Sequence, residues 1–305
     1  MKFGLLLPHF GEQADGQRIL AGSARAQELG FSSVWARDHL LFEPIGDIDG
    51  ADSSFLEALT VLTAVGQQCQ QLTLGTAALV PYRNPIHSAR ILATMANIVG
   101  PRLAIGVGGG SSDREFAAIG MGGIPRAALM QSQVGIMKAL LSEPSVTWKD
   151  EFYDFDDVSL EPRPTADAVR FWWCGSTPKA ARLAASVCDG WLPGRITMRT
   201  MQVRLETLDE AAAAVGRPRP PVGIMPTTSI HTSRERALAT IDVPGLCRAA
   251  NRSKFFVKPD SGEFRTPEDL TGMLLAGSPD EVAEQCAQLA ASGVETIVFD
   301  CRAGF

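Results

Sequence analysis

Several residue types are scarce in this sequence, and each scarcity argues against a class of protein. The 305 residues include four histidines and six cysteines, and the cysteines lie far apart without a single CxxC pair. That spacing argues against a framework of disulfide bonds and against a zinc site. We therefore expect a reduced, cytoplasmic protein without a bound metal.

Basic clusters and long apolar runs are missing as well. The formal net charge is -6 and no run of basic residues occurs, which argues against binding to nucleic acid or to an anionic membrane. No apolar stretch reaches the roughly 18 residues that a membrane-spanning helix requires. The opening residues MKFGLLLPHFG predict a first strand rather than a signal peptide. The composition is otherwise ordinary for a globular enzyme, and we expect its partner to be a small-molecule substrate.

Apolar segments rich in β-forming residues alternate along the chain with amphipathic helical segments. Eight of them are apolar almost throughout, which is typical of a parallel sheet covered by helices. Eight such units in one chain predict a single (β/α)₈ barrel domain, residues 1–305. Two segments, about 143–168 and 242–277, interrupt the alternation and predict loop insertions. The predicted strands are 2–8, 33–36, 72–80, 102–108, 169–175, 190–193, 221–231 and 294–300.

The predicted helices occupy the segments between these strands. Ser53 or Ser54 is the expected N-cap of the helix 54–68, and Ser278 is the expected N-cap of the last one. In the neighbouring residues Trp172 and Trp173 we expect one ring to face the barrel core and one the helices. The printed chain ends five residues after the eighth predicted strand, so we expect an insertion or a second subunit to cover that flank.

Active sites of such barrels lie at the carboxyl ends of the strands, and Asp38 and His39 follow the second strand. A histidine exchanges protons near neutral pH, and a nearby carboxylate can hold its tautomer. This pair is our candidate for catalysis. A helix cap or a loop ion pair with Arg37 is the alternative interpretation.

Two glycine turns follow other strands. The stretch LAIGVGGGSSDREF, residues 103–116, runs from a strand through Gly106–Gly110 into a helix, and CGSTP, residues 174–178, does the same. Main-chain amides in such turns bind phosphate, and two turns favour one phosphorylated cofactor across the barrel mouth. A turn without a ligand and a simple N-cap remain the alternatives.

The first turn matches the dinucleotide-binding pattern poorly. The pattern G-x-G-x-x-G requires a glycine where this chain has Ser111. About twenty residues further on, where the pattern has an acid that binds ribose, the chain has Gln131 and Gln133. A nicotinamide dinucleotide is therefore the weaker alternative.

Taken together, these segments resemble the luciferase-like monooxygenase family, which includes bacterial luciferase, alkanesulfonate monooxygenases and F420-dependent dehydrogenases and reductases. The matching segments are ELGFSSVWARDHL, LTLGTAALVPYRNPIHSARILATMANI, RLAIGVGGG, CGSTPKAARLAASVCDGWLP and GSPDEVAEQCAQLAASGVETIVF. The resemblance implies a (β/α)₈ barrel whose cofactor is F420 or FMN.

The resemblance also implies roles for particular residues. Asp38 and His39 would lie beside the cofactor ring, with His39 as a proton relay that Asp38 orients unless Asp38 contacts the ring itself. A non-prolyl cis peptide between Ala77 and Ala78, after Thr76, would support the ring. The residues implied for the polar tail and the phosphate are Gly106, Gly108, Gly109, Gly110, Gly175, Ser176 and Thr177.

The sequence departs from the family at two places. VGPR, residues 99–102, replaces the usual Ser-Gly-Gly-Arg. Gly108–Gly110 occupy the turn in which some F420 dehydrogenases carry a glutamate that donates a proton, which argues against a sugar-phosphate or alcohol dehydrogenase.

We therefore expect an oxidoreductase that transfers hydride through F420 or oxygenates a small organic substrate through reduced FMN, with F420 favoured by the Asp-His pair. The alternatives are an NAD(P)-dependent dehydrogenase with a doubly wound sheet and a family member that binds the cofactor without turnover. We expect residues 41–53 and 242–277 to shape the substrate pocket or to act as lids over it, and we expect a homodimer.

Overall fold

The computed structural model describes residues 1–43 and 52–302. Parallel strands form its central sheet, and most of them coincide with the apolar segments of the sequence. Most of the segment 41–53 lies outside the described residues. The strands are β1 (Lys2–Leu6), β2 (Ser33–Ala36), β3 (Thr73–Leu79), β4 (Leu103–Val107), β5 (Val146–Lys149), β6 (Asp154–Val158), β7 (Val169–Cys174), β8 (Gly190–Leu192), β9 (Gly223–Ile224), β10 (Thr227–Ile230), β11 (Leu274–Gly277) and β12 (Thr296–Phe299).

The central sheet closes on itself. Eight strands of the described chain pair side by side in the order β8, β7, β4, β3, β2, β1, β12, β9. A further parallel bridge between Trp191 and Val222 joins the two ends of this order. The predicted (β/α)₈ barrel is therefore confirmed, and the open doubly wound sheet of the nicotinamide alternative is excluded.

Side chains alternate between the inside and the outside of the barrel wall. Leu6, Trp35, Leu192 and Val298 pack on one another inside, whereas their sequence neighbours pack against the surrounding helices. The indoles of Trp35 and Trp172 meet edge to face inside the barrel, with ring centroids 6.1 Å apart. Trp173 packs in the outer cluster, against the helices. The expectation that Trp172 and Trp173 face opposite sides of the barrel wall is therefore confirmed.

Amphipathic helices cover the outside of this wall. The expected cap Ser278 is confirmed, since its hydroxyl accepts from the Glu281 amide in a capping box. The expected Ser53 or Ser54 cap is wrong, because that helix begins at Ala58 and the Glu57 carboxylate caps it. The helices are α1 (Gly16–Glu28), α2 (Ala58–Gln68), α3 (Pro85–Val99), α4 (Asp113–Ala118), α5 (Arg126–Ser142), α6 (Pro178–Val187), α7 (Met198–Ala214), α8 (Arg234–Ala239), α9 (Val243–Arg252) and α10 (Pro279–Ala291).

The two interruptions of the alternation are not simple loops. The first carries the antiparallel hairpin β5–β6, and the second carries α9 and β11. The predicted strand 221–231 is divided at Pro226, whose nitrogen has no proton to donate to a sheet. Its first part is β9 of the barrel, and its second part, β10, pairs in parallel with β11 outside the barrel. Around this second sheet lies a separate apolar cluster that includes Leu246, Phe264 and Leu274.

Candidate active site

Small side chains line one side of the barrel mouth, and charged side chains line the other. At the carboxyl ends of β3, β4 and β7 the inward positions are Ala77, Gly108 and Cys174, of which Ala77 and Cys174 pack against the inner cluster. A Cβ atom on Gly108 would lie 3.7 Å from the Cβ of Cys174, so these positions are neighbours. Arg37 and Asp300 stand two residues beyond inward side chains of β2 and β12 and share their direction. The mouth therefore has small side chains on one side and charged side chains on the other.

Asp38 faces away from the mouth. Its side chain is 1 % exposed and accepts two hydrogen bonds from Arg83, at 2.8 and 2.9 Å, and one from the Val80 amide. Arg83 also contacts Glu57. Successive residues of a strand point to opposite faces, so the residue next to His39 in sequence does not hold its ring. The expected orienting contact from Asp38 is wrong, and Asp38 instead ties the end of β2 to the segment after β3.

His39 lies between the carboxylate of Glu115 and the guanidinium of Arg37. Arg37 was named in the alternative interpretation of the sequence, whereas Glu115 was not anticipated. Its Nδ1 is 3.3 Å from a carboxylate oxygen of Glu115, and its Nε2 is 3.1 Å from the guanidinium of Arg37. The rings of Phe42 and Phe55 contact it edge to face. Burial, and next the positive charge of Arg37, hold the pKa of His39 below its ordinary value.

Glu115 is the centre of this arrangement, although its side chain is 1 % exposed. It accepts from the amides of Leu40 and Leu41, at 2.7 and 3.0 Å, and from the hydroxyl of Tyr82. Burial acts to raise the pKa of Glu115, but these hydrogen bonds and His39 hold it below its ordinary value.

Sequence reasoning missed Glu115 because it is 76 residues from His39. The only local signal was misleading. Ser112 and Glu115 have the spacing of a capping box, and the Ser112 hydroxyl does accept from the Glu115 amide. The Glu115 carboxylate, however, turns to the loop after β2.

Packing explains two of the proposed cofactor residues. A Cβ on Gly106 would lie 2.1 Å from the carbonyl oxygen of Thr76 and 2.8 Å from the sulfur of Cys174. The hydroxyl of Thr76, which is fully buried, donates to the Gly106 carbonyl at 2.8 Å. These two residues therefore hold β3 against β4. The expected non-prolyl cis peptide joins Ala77 and Ala78 at the end of β3.

The turn after β7 has the features of an anion site. Thr177 caps α6, its hydroxyl accepting from the Ala180 amide at 3.1 Å. Trp191 donates to the carbonyl of Gly175 at 3.0 Å, and Arg204 donates to that of Ser176 at 3.1 Å, so the turn is fixed from behind. Within the described chain, the Ser176 hydroxyl has no hydrogen-bond partner. A free hydroxyl at the amino end of a helix fits a phosphate group.

The turn after β4 also has features of an anion site, and here the donors are main-chain amides. Gly110 has a φ of 71°, a backbone conformation that glycine adopts without a steric penalty. Gly109 has no neighbour closer to its missing Cβ than the Cβ of Arg126, at 3.4 Å. The small wall and the two turns together fit a ring with a phosphorylated tail, as F420 and FMN have.

The charged side of the mouth centres on Asp300. This residue is 2 % exposed and accepts from Arg195 and from Arg302, each at 2.6 Å. Burial acts to raise the pKa of Asp300, but the two guanidinium groups hold it far below its ordinary value. The guanidinium carbons of Arg302 and Arg37 lie 5.1 and 4.7 Å from the centre of the Phe10 ring. Sequence reasoning did not identify this group, because Arg195 lies 105 residues before Asp300 in the chain.

The described residues contain neither a cluster of metal ligands nor a membrane-spanning helix. No group of three or more histidine, cysteine, aspartate or glutamate side chains in that part of the chain is placed to hold a metal ion. Nor does any helix there have the length and apolar character needed to cross a membrane.

Comparisons with known proteins agree with the fold. A family model described as luciferase-like monooxygenase matches residues 1–296. Among curated proteins, an F420-dependent glucose-6-phosphate dehydrogenase of Nakamurella multipartita is 26% identical over 303 residues, which cover 94% of this chain and 87% of that protein. The protein of the same name from Intrasporangium calvum is 28% identical over 242 residues, with 76% and 70% covered.

Solved structures show the same barrel. An F420-dependent secondary alcohol dehydrogenase in complex with an F420-acetone adduct superposes with a TM-score of 0.82 at 19% identity, covering 99% of this chain and 93% of that one. The oxygenating constituent of 3,6-diketocamphane monooxygenase from Pseudomonas putida, in complex with FMN, gives a TM-score of 0.75 at 16% identity, covering 99% and 92%.

Proposed function

Since this chain belongs to the luciferase-like monooxygenase family, we propose that it is an oxidoreductase that binds F420 or FMN at the mouth of its barrel and acts on a small molecule. The observation that carries the proposal is the small-residue wall of Ala77, Gly108 and Cys174 at the carboxyl ends of β3, β4 and β7, with His39 and the charged groups at the ends of other strands of the same barrel. When bound, such a cofactor supplies the redox chemistry, and the protein supplies binding, orientation and proton transfer.

Each part of the mouth has a role in this proposal. Ala77 and Ala78 support the ring, and Gly108 lies in the wall beside it. The Gly108 amide donates to the Leu79 carbonyl at 3.0 Å, so the amides of Gly109 and Gly110 hold the polar tail. Gly175, Ser176 and Thr177 bind the phosphate, because Ser176 has an unused hydroxyl at the amino end of α6. Thr76, Gly106 and Asp38 act indirectly, by keeping the strand ends in place.

His39 is the proposed proton relay. Its Nδ1 is occupied by Glu115, so the atom available for proton exchange is Nε2, which faces Arg37 at 3.1 Å. A substrate hydroxyl that displaces Arg37 from Nε2 would donate its proton to the Nε2 lone pair. The phenyl rings of Phe42 and Phe55 keep bulk water from this side of the imidazole.

F420 is the favoured cofactor. The Asp-His pair after β2 supports it, as do the curated relatives cited above, which are named for F420. The solved structure that contains FMN supports the second candidate.

Titration of the purified chain with F420 and, separately, with FMN tests the proposal through the change in cofactor fluorescence. We expect saturable binding of F420 and weaker binding of FMN. Ser176→Ala should weaken binding by roughly tenfold, the effect of losing a hydrogen bond to a charged group. Ser233→Ala, which removes the cap of a helix far along the chain, is the matched control. If neither cofactor binds, the proposal is wrong.

Turnover needs a separate test, because a family member could bind the cofactor without acting on a substrate. Oxidised F420 in the presence of a panel of small reduced substrates that carry an O–H or N–H group should be reduced by the wild type and much more slowly by His39→Ala, because Nε2 takes up the proton while the hydride passes to F420. Equal rates for the two proteins would contradict the relay role.

We also propose that residues 1–305 form one cytoplasmic domain with insertions at about 143–168 and 242–277, and that two copies form a dimer. An open apolar groove of about 450 Å³ between α10 and the residues that follow α1 supports the dimer. Met1, Phe3 and Leu29, which line it, are 47%, 38% and 60% exposed, and exposed apolar patches mark association surfaces. Sedimentation should give a dimer for the wild type and a monomer for Leu29→Glu.

A further inference from the structure

The protonation of His39 is constrained by two neighbours of opposite charge. Arg37 approaches Nε2 and Glu115 approaches Nδ1, at 3.1 and 3.3 Å. A guanidinium group has hydrogen-bond donors and no acceptor, so Nε2 must accept. The one proton of the neutral ring is then on Nδ1, and this N–H group donates a hydrogen bond to the Glu115 carboxylate.

Both neighbours are held in place by contacts that do not involve His39. The carboxylate of Glu115 also accepts from two main-chain amides and from Tyr82. The guanidinium carbon of Arg37 lies 4.7 Å from the centre of the Phe10 ring and 5.4 Å from that of Phe42. The two charges therefore stay beside the imidazole whether or not it is protonated.

We propose that Glu115 and Arg37 are positioning residues that set the proton state of His39 in opposite directions and fix its Nδ1–H tautomer. The proposal rests on the proposed function, because Glu115 and Arg37 are assigned the task of keeping Nε2 of the relay histidine unprotonated. The imidazolium form is favoured by the negative charge of Glu115 and opposed by the positive charge of Arg37.

Among the described residues, several further side chains near His39 carry no charge that is left uncompensated, or act on it only indirectly. The carboxylate of Asp38, the next residue in the chain, is neutralised by Arg83. His9 faces the main-chain amide of Arg37, and burial keeps the pKa of its ring low, at about 4. Tyr82 reaches His39 only through Glu115, and Phe42 and Phe55 carry no charge.

Nuclear magnetic resonance of the full chain with isotope-labelled histidine tests the proposal without cofactor or substrate. The chain has four histidines, and His39→Gln identifies the signal of interest. We expect nitrogen shifts of the Nδ1–H tautomer at neutral pH. Glu115→Gln should lower the pKa of His39 by about one unit, and Arg37→Met should raise it by about one unit. Arg37→Lys keeps the charge and should restore the wild-type value.

Tyr82→Phe distinguishes the effect of the Glu115 charge on His39 from the effect of a disturbed structure around Glu115. It removes one hydrogen bond from Glu115 and leaves the negative charge, so it should move the pKa of His39 by less than half as much as Glu115→Gln. Shifts of the same sign in Glu115→Gln and Arg37→Met, an Nε2–H tautomer in the wild type, or equal shifts in Tyr82→Phe and Glu115→Gln would each overturn the proposal. Cofactor titration of the wild type is independent of these results, so failure of the proposed function would be seen separately.

Discussion

Arg83 holds the carboxylate of Asp38 with two parallel hydrogen bonds, at 2.8 and 2.9 Å, where the aspartate side chain is 1 % exposed. Replacing Arg83 by methionine leaves a buried negative charge without its partner. Breaking a buried pair in this way costs about 3–5 kcal/mol. We expect Arg83→Met to lower the free energy of unfolding by that amount, measured by denaturant titration.

An exposed ion pair provides the control for this experiment. Lys149 and Asp154 are 2.7 Å apart, with side chains 79% and 63% exposed, and such pairs contribute about 1 kcal/mol or less. Asp154→Asn should therefore leave the unfolding curve nearly unchanged. A small effect of Arg83→Met, similar to that of Asp154→Asn, would mean that Asp38 is not held as the structure shows.

Gly75 leaves the space that the Trp35 ring occupies inside the barrel. A Cβ on Gly75 would lie 2.3 Å from ring atoms of Trp35, and overpacking of a filled core costs about 1–3 kcal/mol. We expect Gly75→Ala to destabilise the fold by at least this amount. Gly22 lies within α1 and has nothing within 4 Å of a Cβ, so Gly22→Ala should be neutral or stabilising by up to about 1 kcal/mol. Equal thermal shifts for both variants would contradict the packing argument.

The barrel could be predicted from the sequence because its signals are local. The alternation of apolar strands and helices depends on neighbours in the chain, and so does the opposite facing of Trp172 and Trp173. The cis peptide at Ala77–Ala78 was expected from the family resemblance, and it is present.

The partners of the site residues could not be predicted, because they depend on distances across the folded chain. Asp38 and His39 are neighbours in sequence, but the strand turns them apart, and each pairs with a distant residue, Arg83 and Glu115. Asp300 likewise meets Arg195, which is 105 residues away. Charge pairing of this kind leaves no periodic pattern.

Gly106 and Gly108 lie on the same face of β4 and its extension, yet substitution should affect them differently. A Cβ on Gly106 would be 2.1 Å from a main-chain oxygen, which cannot move aside, so Gly106→Ala should destabilise the fold by about 3 kcal/mol or fail to fold. A Cβ on Gly108 meets its nearest atom at 3.4 Å, so Gly108→Ala should fold normally.

The same pair of variants tests the location of the cofactor. The added methyl group of Gly108→Ala projects into the mouth, and we expect it to weaken F420 binding by roughly tenfold through overpacking. Unfolding curves and fluorescence titrations should be measured together. Unchanged affinity in a stable Gly108→Ala protein would place the ring elsewhere.

His9 should make the fold sensitive to acid. Its fully buried ring donates from Nδ1 to the Leu56 carbonyl at 2.8 Å and accepts at Nε2 from the Arg37 amide at 2.9 Å. Burial lowers the pKa of His9 from 6.5 to about 4 in the folded state. Between these values the unfolded chain binds a proton that the folded chain does not, so stability falls as the pH falls through this window.

The expected loss is about 3 kcal/mol between pH 6.5 and 4, since each unit of pKa difference corresponds to about 1.4 kcal/mol. A glutamine side chain can make both hydrogen bonds and does not titrate. Between pH 6.5 and 4, the free energy of unfolding of His9→Gln should therefore fall by about 3 kcal/mol less than that of the wild type. His231→Gln makes the same substitution at an exposed ring and is the control for the change of residue type. The comparison is between slopes, measured by urea denaturation at several pH values, so a constant offset in stability does not affect it. Parallel wild-type and His9→Gln slopes would show that the folded protein accommodates a protonated His9, and the buried contacts with Leu56 and Arg37 would then not hold the ring neutral.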